Sequence, residues 1–189
     1  MKKIIITLAL AAAAALSANA QIAVGVGYQT KNYSNDGPKN GGIYAGVTYN
    51  YGLSNGLAVA AGLDVSFLSG KDSGINYSET NIGIPVLVNY AIPVADGFVL
   101  TPFAGPTFSY GLNFKGENSG VSINLYDNNL GAEMKRFDVL VGGGVALDIQ
   151  NLVRVSIGYN KGLLNRTDSD DDDDKVTTSG LHFGVAYLF

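Results

Sequence analysis

Five charged or titratable residues of this chain fall on the non-apolar side of alternating segments: Asp64, Asp138, Asp148, Arg154 and His182. Three chemistries follow from such a set. Arg154 is the one clear cation on the segments, and Asp148 is its nearest partner across a hairpin. Buried charges are costly unless paired, so these two are expected to form an ion pair. A row of polar residues would instead give ions a narrow path, with Asn81, Asn89, Thr101, Thr107, Ser109, Ser156 and Asn160 beside the charges. The third chemistry is hydrolytic. His182 is the only histidine, and Ser156 on the preceding segment is its candidate nucleophile. A triad also needs a group to orient the base, and alternation does not place Ser179 beside His182. The expected reading is the first: a structural network that fills an interior, with no catalytic residue and no cofactor. The chain has no Cys and no His cluster, so no transition-metal site is suggested.

What positions these side chains is a set of eight segments with a period of two, each about ten residues long, which is the transmembrane-strand signature. The first, near 22–31, puts Ile22, Val24, Val26 and Tyr28 on one face and Gly25, Gly27 and Gln29 on the other. The third sets Leu57, Val59, Leu63, Val65 and Phe67 against Ala58, Ala60, Gly62, Asp64 and Ser66. The fifth is the longest, from 98 to about 114. Connections after the second, fourth and sixth strands are short (53–56, 92–97 and 149–152). Those after the first, third, fifth and seventh are expected to be longer and polar (32–42, 69–78, 115–135 and 165–178). This alternation of tight turns and long loops, with an even strand number, predicts an all-β, eight-stranded, antiparallel up-and-down transmembrane β-barrel. The non-apolar face is rich in Gly, Ala, Ser, Thr and Asn, which suits the crowded inside of a narrow barrel. A soluble barrel of lipocalin type would turn a charged face to water. Tyr28, Tyr49, Tyr51, Tyr90, Tyr110, Tyr159 and Tyr187 lie near strand ends on the apolar face, where aromatic girdles meet the headgroups.

The ends of the chain carry an address. Lys2 and Lys3, the apolar run 4–16 and the small-x-small site Ala18-Asn19-Ala20 read as a secretory signal peptide over 1–20, leaving a barrel domain over 21–189. The run is shorter than the roughly 20 residues a spanning helix needs. At the other end Phe183, Val185, Tyr187 and Phe189 form an apolar face that stops at the terminus. Such a strand is expected to seam to the first one and to act as the signal read by the barrel-assembly machinery. The predicted location is the cell outer membrane, with both termini periplasmic.

Composition narrows the partners. Without Lys2 and Lys3 the formal charge moves from −4 to −6, which argues against nucleic acid, whose binders need a basic footprint. No Cys follows the cleavage site, so lipoprotein anchoring is not expected. The expected partners are outer-membrane lipid, the assembly machinery during insertion, and an envelope protein. The most biased stretch, 168–174, holds six Asp and one Ser before Lys175. It lacks the spacing and turn glycine of an EF-hand and reads as a solvated outer loop, with cation gathering as the other reading. Alternation of Val121, Ile123 and Leu125 suggests a hairpin extended above the membrane. Pro85, Pro102 and Pro106 fall inside strands, and bulges are expected there.

Several local patterns join in one resemblance: Asn81-Ile82-Gly83-Ile84-Pro85-Val86-Leu87-Val88-Asn89-Tyr90, then Pro102-Phe103-Ala104-Gly105-Pro106, then Arg136-Phe137-Asp138 running into Gly142-Gly143-Gly144, and last Gly158-Tyr159-Asn160-Lys161-Gly162-Leu163. In order and spacing they resemble the PorT-like family of small outer-membrane β-barrels of the Bacteroidetes, over essentially the whole mature chain. The resemblance implies an outer-membrane barrel, and for one branch a tie to protein secretion. It carries no catalytic motif. The function expected is therefore non-enzymatic, a structural or binding role through extracellular loops or an envelope partner. A small passive pore is the first alternative and a lipid-modifying enzyme the second.

Overall fold

The computed structural model describes residues 20–35, 37–127, 134–167 and 175–189. The signal peptide (but for Ala20) and the acidic stretch 168–174 lie outside them. Ten strands are present among the described residues: β1 (Ala20–Tyr33), β2 (Lys39–Ser54), β3 (Leu57–Asp72), β4 (Ile75–Tyr90), β5 (Ile92–Ala95), β6 (Phe98–Asn118), β7 (Val121–Asn124), β8 (Phe137–Ile149), β9 (Val153–Gly162) and β10 (Thr178–Leu188). Eight of them close a ring. Each pairs antiparallel with the next, β4 pairs with β6, and β10 pairs with β1 through Val24↔Tyr187 and Val26↔Val185. The apolar C-terminal strand thus seals the barrel. The short β5 and β7 are hairpin arms that fold onto β6, one at each of its ends.

The outside of this ring is apolar. Val26, Ile43, Phe67 and Leu181 are more than half exposed, at 63%, 65%, 56% and 57%. A water-soluble protein does not show apolar side chains on this scale, whereas lipid covers them. On β3 the belt runs from Leu57 to Phe67, and the outward positions beyond it are Ser69 and Lys71. Tyr28, Tyr110 and Tyr159 edge the belt toward the loops. Tyr49, Tyr51, Tyr90 and Tyr187 edge it toward the termini.

Three details depart from the sequence reading. First, the strands outrun the belt. The connection expected over 69–78 is a two-residue turn at Ser73 and Gly74, with φ of 48° and 84°. Positive φ at both positions defines the hairpin turn whose twist matches its strands. Likewise β1 and β2 leave only 34–38 between them. Second, no register shift marks Pro85, Pro102 or Pro106. The β4–β6 register passes Pro85↔Thr107 and Val88↔Ala104 without a shift, and the ladder merely skips the bridges between them. Third, β6 does carry an irregularity, but at Leu112: Asn81 faces Gly111 while Thr80 faces Asn113. One extra residue reverses which face every later side chain takes. Phe114, which plain alternation with Tyr110 and Leu112 would put outside, is therefore wholly buried. The hairpin expected above the membrane forms where β7 pairs with the end of β6.

Candidate functional site in the barrel lumen

Inward-facing polar residues gather at three levels. Nearest the termini, Asp148 and Arg154 are register partners on β8 and β9, joined by a tight turn at Gln150 and Asn151. Arg154 Nε donates to Asp148 Oδ1 at 2.6 Å and Nη2 to Oδ2 at 2.8 Å, a forked pair. Thr101 donates to the same carboxylate at 3.2 Å, and Asn89 and Arg154 both donate to Asn50 Oδ1. These groups lace five strands together across the narrow interior.

At mid-height a cavity of about 240 Å³ remains, lined by Tyr44, Asp64, Ser156, Asn160 and His182 among others. Glycine makes room for it. A β-carbon at Gly158 would collide with the His182 ring, and one at Gly184 with the Tyr44 hydroxyl. The His182 Nδ1 lies 3.5 Å from Asn160 Nδ2, and the ring packs beside Phe103. Ser156 and Tyr44 line the same cavity. Among the described residues, no serine or acid is hydrogen-bonded to His182.

The level nearest the loops is the most elaborate, and the sequence reading missed most of it. Lys31 Nζ meets Glu79 Oε1 at 2.5 Å. The same oxygen accepts from Tyr33 at 2.9 Å and Tyr126 at 3.4 Å, and Asn40 donates to Oε2. Asp138 accepts from Thr178 at 2.8 Å and lies 3.8 Å from Arg166 Nη1, while Arg166 Nη2 donates to the Tyr126 hydroxyl. Phe114 sits in the middle, stacked on Tyr33 with ring centroids 5.4 Å apart and touching Tyr126 and Tyr77. Arg166, Glu79, Phe114 and Tyr126 are all at most 1% exposed. Arg154 is thus not the only internal cation: Lys31 and Arg166 are buried as well.

Local structure explains how loop residues come to fill the mouth. Asn124 Oδ1 accepts the Tyr126 N–H, an Asx-type turn that swings the tyrosine back over β6. Leu125 N–H donates to Phe114 O, Lys135 N–H to Arg166 O, and Arg166 N–H to Val176 O, so the last two outer loops are stitched to each other. Arg136 clasps Asp127 at 2.6 Å from the solvent side.

This cluster lies beyond the belt, since Glu79 pairs with Leu68 just past Phe67 and Lys31 lies past Tyr28. Burial alone would raise the Glu79 carboxyl. The Lys31 ammonium and the hydrogen bonds from Lys31 and Tyr33 outweigh it and hold the group below the usual carboxylate range. Burial, reinforced by the Glu79 charge, drives the Tyr33 phenol well above its ordinary value. Arg166 Nε and Asp138 Oδ1 find no hydrogen-bond partner among the described residues.

Lys31, Tyr33 and Glu79 had a signal. They continue the inward faces of Gln29 and Asn81 past the point where the outward face stops being apolar. Tyr126 and Arg166 had none, because irregular loops have no period. Among the described residues no metal-binding group of His, Asp and Glu occurs.

A closed eight-stranded ring with an apolar outer belt and a filled polar lumen is the architecture of the small outer-membrane barrels. By sequence, residues 4–189 match the family described as outer membrane protein beta-barrel domain, and the chain belongs to that family. The fold is similar to that of Ail, the attachment invasion locus protein of Yersinia pestis, at 15% identity and a TM-score of 0.54 over 90% of this chain and 99% of that one. Neisserial surface protein A is similar at 16% identity and 0.54, covering 90% and 97%. A major outer membrane protein from Thermus thermophilus is similar at 16% and 0.52, covering 90% and 99%. Among curated protein sequences, none matches this chain.

Proposed function

We propose that this outer-membrane barrel works without catalysing a reaction, as a structural or binding component acting through its outer loops or through an envelope partner. The observation that carries this reading is the filled mouth. Arg166 and Tyr126, from two different loops, are buried against Lys31, Glu79 and Asp138. What the molecule offers is then its outer surface, where strands extend past the belt into hairpins. In this reading residues 1–20 are removed as a signal peptide, both termini face the periplasm, and the loops face out. The resemblance to PorT-like barrels supports an accessory part in a secretion-related envelope assembly.

The passive-pore reading draws on the cavity of about 240 Å³. It requires passage through both polar clusters, and an eight-stranded interior is only wide enough for its own side chains. The lipid-enzyme reading needs Ser156 to hydrogen-bond to His182, and among the described residues no serine does so.

A crosslinked pull-down from native outer membrane in mild detergent, read by mass spectrometry, tests the proposal. A stoichiometric envelope protein is the expected result. Recovery of the barrel alone, together with discrete single-channel steps in planar bilayers, would replace it with the pore.

A further inference from the structure

Lys39, Lys71, Lys115 and Lys161 stand apart from the other charges. The remaining strand cations are turned into the lumen and paired: Lys31 with Glu79, and Arg154 with Asp148. These four point outward, are exposed, and make no ion pair among the described residues. They come from β2, β3, β6 and β9. All lie on the loop side of the barrel, at or beyond the edge of the apolar belt, though not at a single height. Lys161 is the next outward residue beyond Tyr159 on β9, Lys39 lies beyond Ile43, and Lys71 beyond Phe67. Lys115 faces outward only because of the irregularity at Leu112, which sets it beside the outward Ser78. Gly41↔Ser69 is the last register pair before Lys39 and Lys71, so these two project from adjacent strands on one face.

Two like charges side by side on a sheet repel and gain nothing from each other. The opposite rim shows the contrast: the outward residues there, including Tyr51, Leu53, Tyr90, Val94, Phe98 and Leu152, are apolar, and no Lys or Arg faces outward among the described residues. A protein with a formal charge of −6 after loss of the leader has therefore placed unpaired cations along one lipid boundary only. At a rise of about 3.4 Å per residue along tilted strands, the ammonium groups lie within roughly 10 Å of the hydrocarbon edge. Lysine stems can run along apolar surface while the head reaches the interface. One acid shares this face, Glu117, and it sits level with Lys71, a step farther from the belt than Lys115.

We infer that the four lysines form a collar that binds the phosphate groups of glycolipid headgroups in the leaflet touching the loop end. The surface is continuous with the lipid-facing belt, and its charge complements a phosphorylated glucosamine lipid. A lysine near an anionic lipid surface strengthens attachment by about five-fold. The inference rests on the barrel's position in the outer membrane and on the loop end facing out, but its chemistry is testable without sidedness.

The test uses the mature protein purified from native membrane into neutral detergent. Bisphosphorylated lipid A, or the same lipid stripped of phosphate, is titrated in and bound lipid is counted by native mass spectrometry. Binding of the phosphorylated lipid should be at least ten-fold tighter and should weaken with salt. The variant K39Q/K71Q/K115Q/K161Q should lose that preference while keeping the heat-modifiable gel shift of a folded barrel, and the four-fold Lys→Arg variant should restore it. Equal binding of the two lipids, an unchanged glutamine variant, or equal competition by inorganic phosphate would each overturn the collar. Labelling of loop lysines on intact cells reports the orientation separately, so a failure of orientation is told apart from a failure of binding.

Discussion

The two ends of the lumen are filled in different ways. At the terminal end, Asp148 and Arg154 face each other across one tight turn, and strand neighbours complete the set. At the loop end, the buried polar groups come from β1, β4, β8 and two loops, and their arrangement depends on one extra residue in β6. The first is a local solution that any hairpin with those two residues would make. The second exists only once distant segments have come together. A local pair is robust and simple to specify. A non-local cluster gives up that simplicity and fixes the loops in a single arrangement.

The contrast can be broken most severely at Phe114, which is wholly buried in the middle of the loop-end cluster. Phe114→Ala should loosen that cluster at a cost of ~3–5 kcal/mol, measured by urea unfolding in lipid vesicles, with the Asp148–Arg154 end still folded by hydrogen exchange. Next in size is Glu79→Ala, which leaves Lys31 buried without its anion. Removing one partner of a buried pair costs about 3–5 kcal/mol, and the same assay should show it. Arg154→Ala removes a forked pair that is only partly enclosed and should cost about 1.5–3 kcal/mol. A loss equal to that of Glu79→Ala would erase the distinction between the two ends.

Acid sharpens the comparison with the smallest effect. The Glu79 carboxyl is held below its unfolded value of about 4.3. Its contribution is therefore complete above that pH and disappears as pH falls through the folded value. Unfolding midpoints between pH 6 and pH 3 should drop more for the natural protein than for Glu79→Gln, which has no carboxyl to protonate.

How much of this was legible follows from period. Alternation exposed all eight spanning strands, because each carries apolar residues on one face for the depth of the lipid. It lost the strands where they leave lipid: Ser69, Lys71, Asn76 and Ser78 continue the outward faces of β3 and β4 but look like loop residues. The turn pair Ser73-Gly74 was the missed sign, since a small residue before glycine is a hairpin signal. The prolines misled for a related reason. A residue without an N–H costs nothing where the ladder already skips a bridge. Asp148 opposite Arg154 could be read from spacing, whereas Tyr126 and Arg166 reach the lumen through turns that no pattern of faces foretells.

The pairing of β10 with β1 also has a consequence in time. The first strand to leave the ribosome waits for the last before either has its full set of backbone partners. Until then both are open edges, each able to pair with a neighbouring chain. Contacts between the far ends of a chain are slow to form, because the loop they close is the whole protein. The seam that makes the finished barrel durable therefore leaves the unfinished one vulnerable at two open edges.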